Sequence, residues 1–408
     1  MRIGIIGGGV GGLTLALALH ARGIEVEVVE AAPEIRPLGV GVNILPHATK
    51  ELAALGVLEA LEAVSIPTQE AAYFNRFGQL ILTEPLGRNA GYPTPQLSIH
   101  RGELQMALLA AVRARLGAEA VRTGLRCVGV DTETGTARLI HTVSGEAAPE
   151  LRADAIIASD GIHSAVRRQF FPDEGPPLYS GVNMWRGTTR MKPILSGATM
   201  VRAGWLTQGK MVIYPIRRFD DGTVQMNWVA EIETPKHHPN DWARKGDLAD
   251  FLPAFAEWHF DWCDVPAMIE AADQVLEYPM VDKDPLPRWS HGRATLLGDA
   301  AHPMYPRGSN GAGQAILDAR CLADRLAECG GDVLAALAAY DAERREKTAR
   351  VVRTNRTQPP DAIIREVWER SGDKPFARIE DVMPREELDA ILAAYKQVAG
   401  YDKATLAA

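Results

Sequence analysis

The sequence predicts a mixed α/β (α+β) chain: a parallel sheet with helices on it, an antiparallel layer interleaved with that sheet, and C-terminal helices. Three observations predict it. The strand-like run Arg2–Ile6 passes through closely spaced glycines into the apolar stretch "LTLALALHARG", and a second strand, "EVEVVE", follows. Two further strand–Asp–helix units lie far downstream, in "LRADAIIASDGIHSAVRRQF" and "GRATLLGDAAHPMYPRGSNGAGQAILDARCLADRL". Between them, "LYSGVNMWRGTTR", "KMVIYPIRR" and "VQMNWVAEIE" alternate aromatic, apolar and polar residues, the pattern of antiparallel strands rather than of more βαβ units.

The first unit carries G-x-G-x-x-G as Gly7, Gly9 and Gly12, with Gly11 inside the same turn. Gly7 makes the tight turn, Gly9 lets a pyrophosphate approach the backbone, and Gly12 lets the helix close on the sheet. The helix N-terminus then presents about half a positive charge to the anion. Glu30 ends the second strand, where an acid bonds both hydroxyls of an adenosine ribose. This Rossmann-like unit fits NAD or FAD equally.

The next helix, "RGELQMALLAAVRARLG", sets Leu104, Leu108, Leu109, Val112 and Leu116 on one face. Arg101 opens it, and a cation at that end opposes the helix dipole unless an anion is near. In the second unit the strand Ala153–Ala158 leads to Asp160-Gly161 and a helix start at Ser164. In the third, Ala294–Leu297 leads to Gly298-Asp299, a glycine-rich loop and a helix from about Gly311. Asp332–Asn355 reads as a packed helix whose Glu343 and Lys347 pair on a solvated face. The implied division is 1–171, with an inserted hairpin region at about 66–98, then 172–279, 280–357 completing the first part, and a helical tail at 358–408.

Composition excludes several classes. The 408 residues are 46% hydrophobic, ample for a large core, and the net charge of −8 comes without a basic block dense enough to track nucleic acid. Cys127, Cys263, Cys321 and Cys329 form no C-x-x-C pair, so they read as reduced thiols of a cytoplasmic protein rather than a zinc site or disulfide framework. No run of about 18 apolar residues predicts a membrane span, and the apolar N-terminus has the glycines of a nucleotide loop instead of signal-peptide flanks. His47, His100, His163 and His302 sit beside motifs without metal-ligand spacing, so no metal is expected.

With all three motifs in order across nearly the full length, the chain resembles the single-component FAD-dependent aromatic monooxygenases of the p-hydroxybenzoate and salicylate hydroxylase class. The segments "EIRPLGVGVNILPHA", "SIHRGELQMALL", "MWRG" and "YPMVDKDPLPRW" resemble its phenazine-carboxylate monooxygenases. The resemblance implies an NADH- or NADPH-dependent enzyme that uses O₂ to hydroxylate a small aromatic or heteroaromatic substrate through a flavin C4a-hydroperoxide, as a monomer or homodimer. It assigns the ADP part of FAD to Gly7, Gly9, Gly11, Gly12 and Glu30, the adenine to Leu125, and the pyrophosphate region to Asp160 and Gly161. Arg101, and Arg36 with it, reach the pyrophosphate or ribityl region, and Gly298 and Asp299 hold the ribityl chain. Pro306, Asn310, Gly311 and Ala312 pass the flavin ring, with backbone N–H groups toward its pyrimidine edge.

Trp185, Arg186, Tyr214 and Trp228 are the expected walls of a flat substrate pocket, with Arg186 either a carboxylate clamp or the partner of Glu231. His47 and Tyr214 join Arg186 as catalytic candidates, His47 facing the ring, while His302 serves the loop. A flavin-dependent reductase or halogenase shares the scaffold, although no W-x-W-x-I-P segment is present. A non-catalytic flavin-binding protein has the same motifs.

Overall fold

The computed structural model describes residues 1–235 and 244–407. Its parallel sheet runs in the order Ala294–Leu296, Ala155–Ala158, Arg2–Ile6, Glu25–Val29, Val121–Arg122. The strands are short and rich in β-branched residues because both faces are covered: Ile3, Ile5, Val28, Val29, Ile156 and Ile157 are completely buried. Helices Val10–His20, Arg101–Leu116 and Gly311–Glu328 pack beside one another against it. Leu104, Leu108, Leu109 and Val112 form the buried stripe of the second of these, as the periodicity predicts, while Leu116 is half-buried at its end.

The antiparallel layer is an eight-stranded sheet. Its order is Arg244–Lys245, Val275–Asp282, Leu178–Met191, Val224–Glu233, Gly209–Arg218, Thr199–Trp205, Glu70–Phe74, Leu80–Pro85. The hairpin at 70–85 therefore extends this sheet, joined by the parallel pairing of Glu70–Phe74 with Thr199–Trp205. Arg186 stands opposite Val229, and Trp228 opposite Ile213.

That register sorts the two faces. One face packs Trp185, Trp228, Val201, Ile213 and Met226 against Phe251, Phe255 and Trp258; the other turns Met184, Arg186, Val212, Tyr214, Val229 and Glu231 toward the parallel domain. The helix predicted at Asp332–Asn355 spans Val333–Thr357 with Asp332 as its cap, accepting from Ala335 N at 3.0 Å. The tail helices Ala362–Ser371 and Arg385–Ala399 bury Ile363, Val367, Leu388 and Leu392 against Ile81 and Leu82 of the hairpin. The hairpin and the tail thus stabilise each other across the edge of the sheet. Among the described residues, no helix is long and apolar enough to cross a membrane.

Candidate active site and cofactor cradle

A cavity of about 460 Å³ lies where the two sheets meet. From the parallel domain it is lined by Gly9, Gly11, Arg101, Gly161, Gly298, Asp299, Pro306 and Asn310–Ala312. Its far wall is the antiparallel sheet, with Met184, Arg186, Tyr214, Glu231 and Tyr278. Residues spread over about 300 positions of sequence converge because each strand of the parallel sheet ends on the same edge, where ligands of such sheets bind.

The fingerprint glycines have distinct surroundings. Gly7 has φ +106°, and a Cβ there would collide with the Ser159 carbonyl. At Gly12 a Cβ would collide with the Gly7 carbonyl, so the helix closes on the turn itself. At Gly9 a Cβ would meet nothing within 4 Å, which leaves open space where an anion can approach the backbone. Glu30 lies at the strand end outside the cavity; its two oxygens accept from Gly8 N and Ala32 N, each at 2.7 Å. Leu125 N donates to the Glu30 carbonyl at 2.9 Å, so the two residues expected around the adenosine are neighbours.

Asp160 is partly buried next to Gly161 and accepts from Ala165 N at 3.0 Å, while its Oδ1 has no partner among the described residues. Burial raises its pKa, opposed by hydrogen bonds from Ser164 and Ala165. Arg101 lines the cavity. Arg36 is different. It is two-thirds exposed, lies outside the cavity lining and pairs with Glu34 at 2.7 Å.

Beneath the third motif lies a buried polar cluster. His302 Nε2 and Asp318 Oδ2 are 2.5 Å apart, Asp318 Oδ1 accepts from Arg344 Nε at 2.7 Å, and Gly298 N donates to Asp318. Burial pushes the Asp318 carboxyl up, but His302 and Arg344 more than offset this and hold it below the usual range. His302 thus braces the turn that offers Asp299 to the cavity. The helix from Gly311 makes its first main-chain bond from Gln314 N to Asn310 O, which leaves the preceding N–H groups at the cavity end.

On the sheet wall, Arg186 Nη2 donates to the Gly41 carbonyl at 2.8 Å, and its buried Nε has no partner among the described residues. Tyr214 is buried beside it; burial raises its pKa, opposed by the charge of Arg186 and a hydrogen bond from it. Glu231 bonds Lys210 at 3.0 Å, so the alternative pairing of Arg186 with Glu231 is not formed. Trp185 and Trp228 do not line the cavity: strand alternation puts them on the opposite face, Trp185 stacked on Phe251 at 5.1 Å and Trp228 Nε1 bonded to Thr189. His47 also lies elsewhere than expected. It is buried under the start of the Gly311–Glu328 helix, against Gly313, and stacks on Tyr401 at 5.5 Å.

A family model described as an FAD binding domain matches residues 1–355. The chain belongs to that family. Phenazine 1,6-dicarboxylic acid hydroxylase PhzS of Lysobacter antibioticus is 45% identical over 403 residues, covering 97% of this chain and 96% of its own. Salicylate hydroxylase of Pseudomonas putida is 30% identical, over 87% of this chain and 84% of its own. Among solved structures, a variant of HpxO from Klebsiella pneumoniae complexed with FAD aligns with a TM-score of 0.76 at 25% identity, over 96% of this chain and 98% of that one.

This family member is an FAD-dependent monooxygenase that acts on a small aromatic substrate with O₂. Its residues fit the cofactor: open space at Gly9, an unpartnered Asp160 oxygen, Asp299 at the cavity, and free helix N–H groups at Gly311. Three features escaped the sequence reading. Glu231, named from the sequence only as an alternative partner of Arg186, takes its place on the cavity wall from the register that sets Val229 opposite Arg186, since strand neighbours two apart share a face. Gly41, whose N donates to Asn227 at 2.7 Å, and Tyr395, which holds Asn310, are set by contacts between distant segments and left no local signal.

Proposed function

We propose that this flavoprotein hydroxylates a carboxylated, phenazine-type heteroaromatic, taking electrons from NADH or NADPH. The carrying observation is a wall of Arg186 and Tyr214 that faces the flavin cradle across one cavity. The 45% identity to a phenazine dicarboxylic acid hydroxylase supports the choice of ring. FAD, when bound, supplies the electron transfer and the oxygen activation. The chain's own residues do the rest by position.

Arg186, anchored on the Gly41 carbonyl, offers its remaining N–H groups to a substrate carboxylate. Tyr214 fixes the guanidinium and bounds the ring. Met184, Val212 and Val229 exclude water along the same wall. On the flavin side, Glu30, Leu125, Gly7, Gly9, Gly11 and Gly12 hold the ADP part, Asp160, Gly161 and Arg101 the pyrophosphate, and Gly298 and Asp299 the ribityl chain. Pro306, Asn310, Gly311 and Ala312 border the ring, and the helix end at Gly311 favours the negative charge that its pyrimidine edge gains on reduction.

The functional units follow the boundaries 1–171, 172–279, 280–357 and 358–408, except that the hairpin at 70–85 and the strand Val275–Asp282 belong to the second unit's sheet, and the setting is cytoplasmic. NADH or NADPH oxidation by FAD-loaded protein, screened with phenazine, quinoline and benzoate carboxylates, tests this reading. Stimulation by a phenazine acid supports it, and equal turnover with and without every acid contradicts it.

A further inference from the structure

The cavity wall carries an anion as well as a cation. Glu231 lines the cavity and is only 5% exposed. It stands opposite Met184, as Val229 stands opposite Arg186, so the two charged side chains leave the same face of adjacent strands on a diagonal. Yet each is held by something else: Arg186 by the Gly41 carbonyl and Tyr214, and Glu231 Oε2 by Lys210 Nζ at 3.0 Å.

Lys210 is 1% exposed and also bonds Asp361, whose Oδ1 lies 3.1 Å from Arg202 Nε. The buried row Glu231–Lys210–Asp361–Arg202 alternates in sign, so each charge is compensated by its neighbour. Only one oxygen of Glu231 is used in that row. Among the described residues Lys210 is the one side chain that bonds this carboxylate, and a nearly buried carboxylate on a cavity wall gains from a hydrogen-bond donor that enters.

We propose that Glu231 is the cavity's acceptor for an O–H or N–H borne by the aromatic ring. The site then holds a phenazine-type acid by Arg186 and binds it most tightly when the ring also carries such a donor. This rests on the function proposed above and deepens it. A hydrogen bond from the ring substituent to a carboxylate also raises the electron density of the ring, which favours electrophilic attack by oxygen. Lys210 is a positioning residue that keeps Glu231 turned to the wall.

The test uses FAD-loaded protein and two probes, a hydroxyphenazine carboxylate and the same acid without its hydroxyl, with binding read from the flavin absorbance. The parent should bind the hydroxylated acid tighter by on the order of tenfold to a hundredfold, the span of one charge-assisted hydrogen bond. Glu231→Gln should erase that preference, because the amide carbonyl can still accept from Lys210 while its NH₂ meets the ligand's donor. Arg186→Lys should weaken both probes alike and keep the preference.

If Glu231→Gln loses its fold, seen in melting and FAD content, Glu231→Asp keeps the charge, withdraws it by one methylene, and should reduce the preference. Full preference retained in the folded Glu231 variant overturns the proposal. A parent that binds both probes equally overturns it while leaving the proposed function intact; a parent that binds neither removes both.

Discussion

The Tyr395 hydroxyl accepts a hydrogen bond from Asn310 Nδ2 at 3.0 Å, tying the last long helix of the tail to the residue that opens the helix at the flavin cradle. The same hydroxyl donates to Asn355 Oδ1 at 2.6 Å, and it occupies the space that a side chain at Gly308 would need. Gln314 adds a second tie, to the Ala399 carbonyl at 3.1 Å. The tail therefore sets the position of the loop that borders the flavin ring.

Tyr395→Phe keeps the ring and removes the hydroxyl, leaving buried groups of Asn310 and Asn355 unpaired. The expected outcome is a loss of roughly 1–3 kcal/mol in unfolding free energy, together with weaker FAD retention. Chemical denaturation and FAD titration measure the two. A variant equal to the parent in both would detach the tail from the cradle.

Gly9 and Gly12 should separate cofactor binding from folding. A methyl at Gly9 meets no protein atom within 4 Å, so Gly9→Ala should melt within about 0.5 kcal/mol of the parent without cofactor, yet hold FAD more weakly. Gly12→Ala drives a methyl into the Gly7 carbonyl and should impair folding itself. Melting curves and FAD content of the two variants, compared side by side, check this.

His47 predicts an acid-sensitive share of stability. Burial first, and the charge of Arg344 second, lower its pKa from 6.5 to about 3. The unfolded chain therefore binds this proton before the folded one does. The contribution is complete above pH 6.5 and is lost as pH falls toward the folded value, at roughly 1.4 kcal/mol per unit. His47→Phe, which preserves an aromatic ring against Tyr401, should lose about 2 kcal/mol less than the parent between pH 7 and pH 5. Parallel acid-dependence in the two proteins would contradict the neutral, buried state of His47.

The parallel half of the fold was legible because its signals are local: glycine turns, a terminal acid and helical periodicity lie within short segments. The antiparallel wall was legible as a sheet, but its facing was not. Trp185 and Arg186 are adjacent and point to opposite faces, so both could never line one cavity; taking Arg186 as the inward residue assigns Trp185 to the core. Trp228 needed the register, which comes from strand pairing and not from either strand alone. His47 sits beside a motif in sequence, yet its surroundings are Gly313 and Tyr401, brought to it by a helix and a tail far along the chain.

Arg186→Lys tests the carboxylate clamp. Lysine keeps the charge but cannot bridge the Gly41 carbonyl and a carboxylate with one planar fork. The dissociation constant of an aromatic acid should rise on the order of tenfold or more, with that of FAD unchanged, since Arg186 lies on the sheet wall and not in the glycine motifs. Titration with an acid and its uncharged amide distinguishes the clamp from general packing: only the acid should lose affinity.

The most direct measurement is oxygen transfer by the FAD-loaded enzyme. NADH or NADPH is supplied with a phenazine carboxylate under an oxygen-18 atmosphere, and the product is analysed by mass spectrometry. The predicted result is one labelled oxygen in a new ring hydroxyl, formed only when the acid, the reductant and O₂ are all present. Reductant oxidised to yield only peroxide with every aromatic acid tried, and no label in any ring, would contradict it.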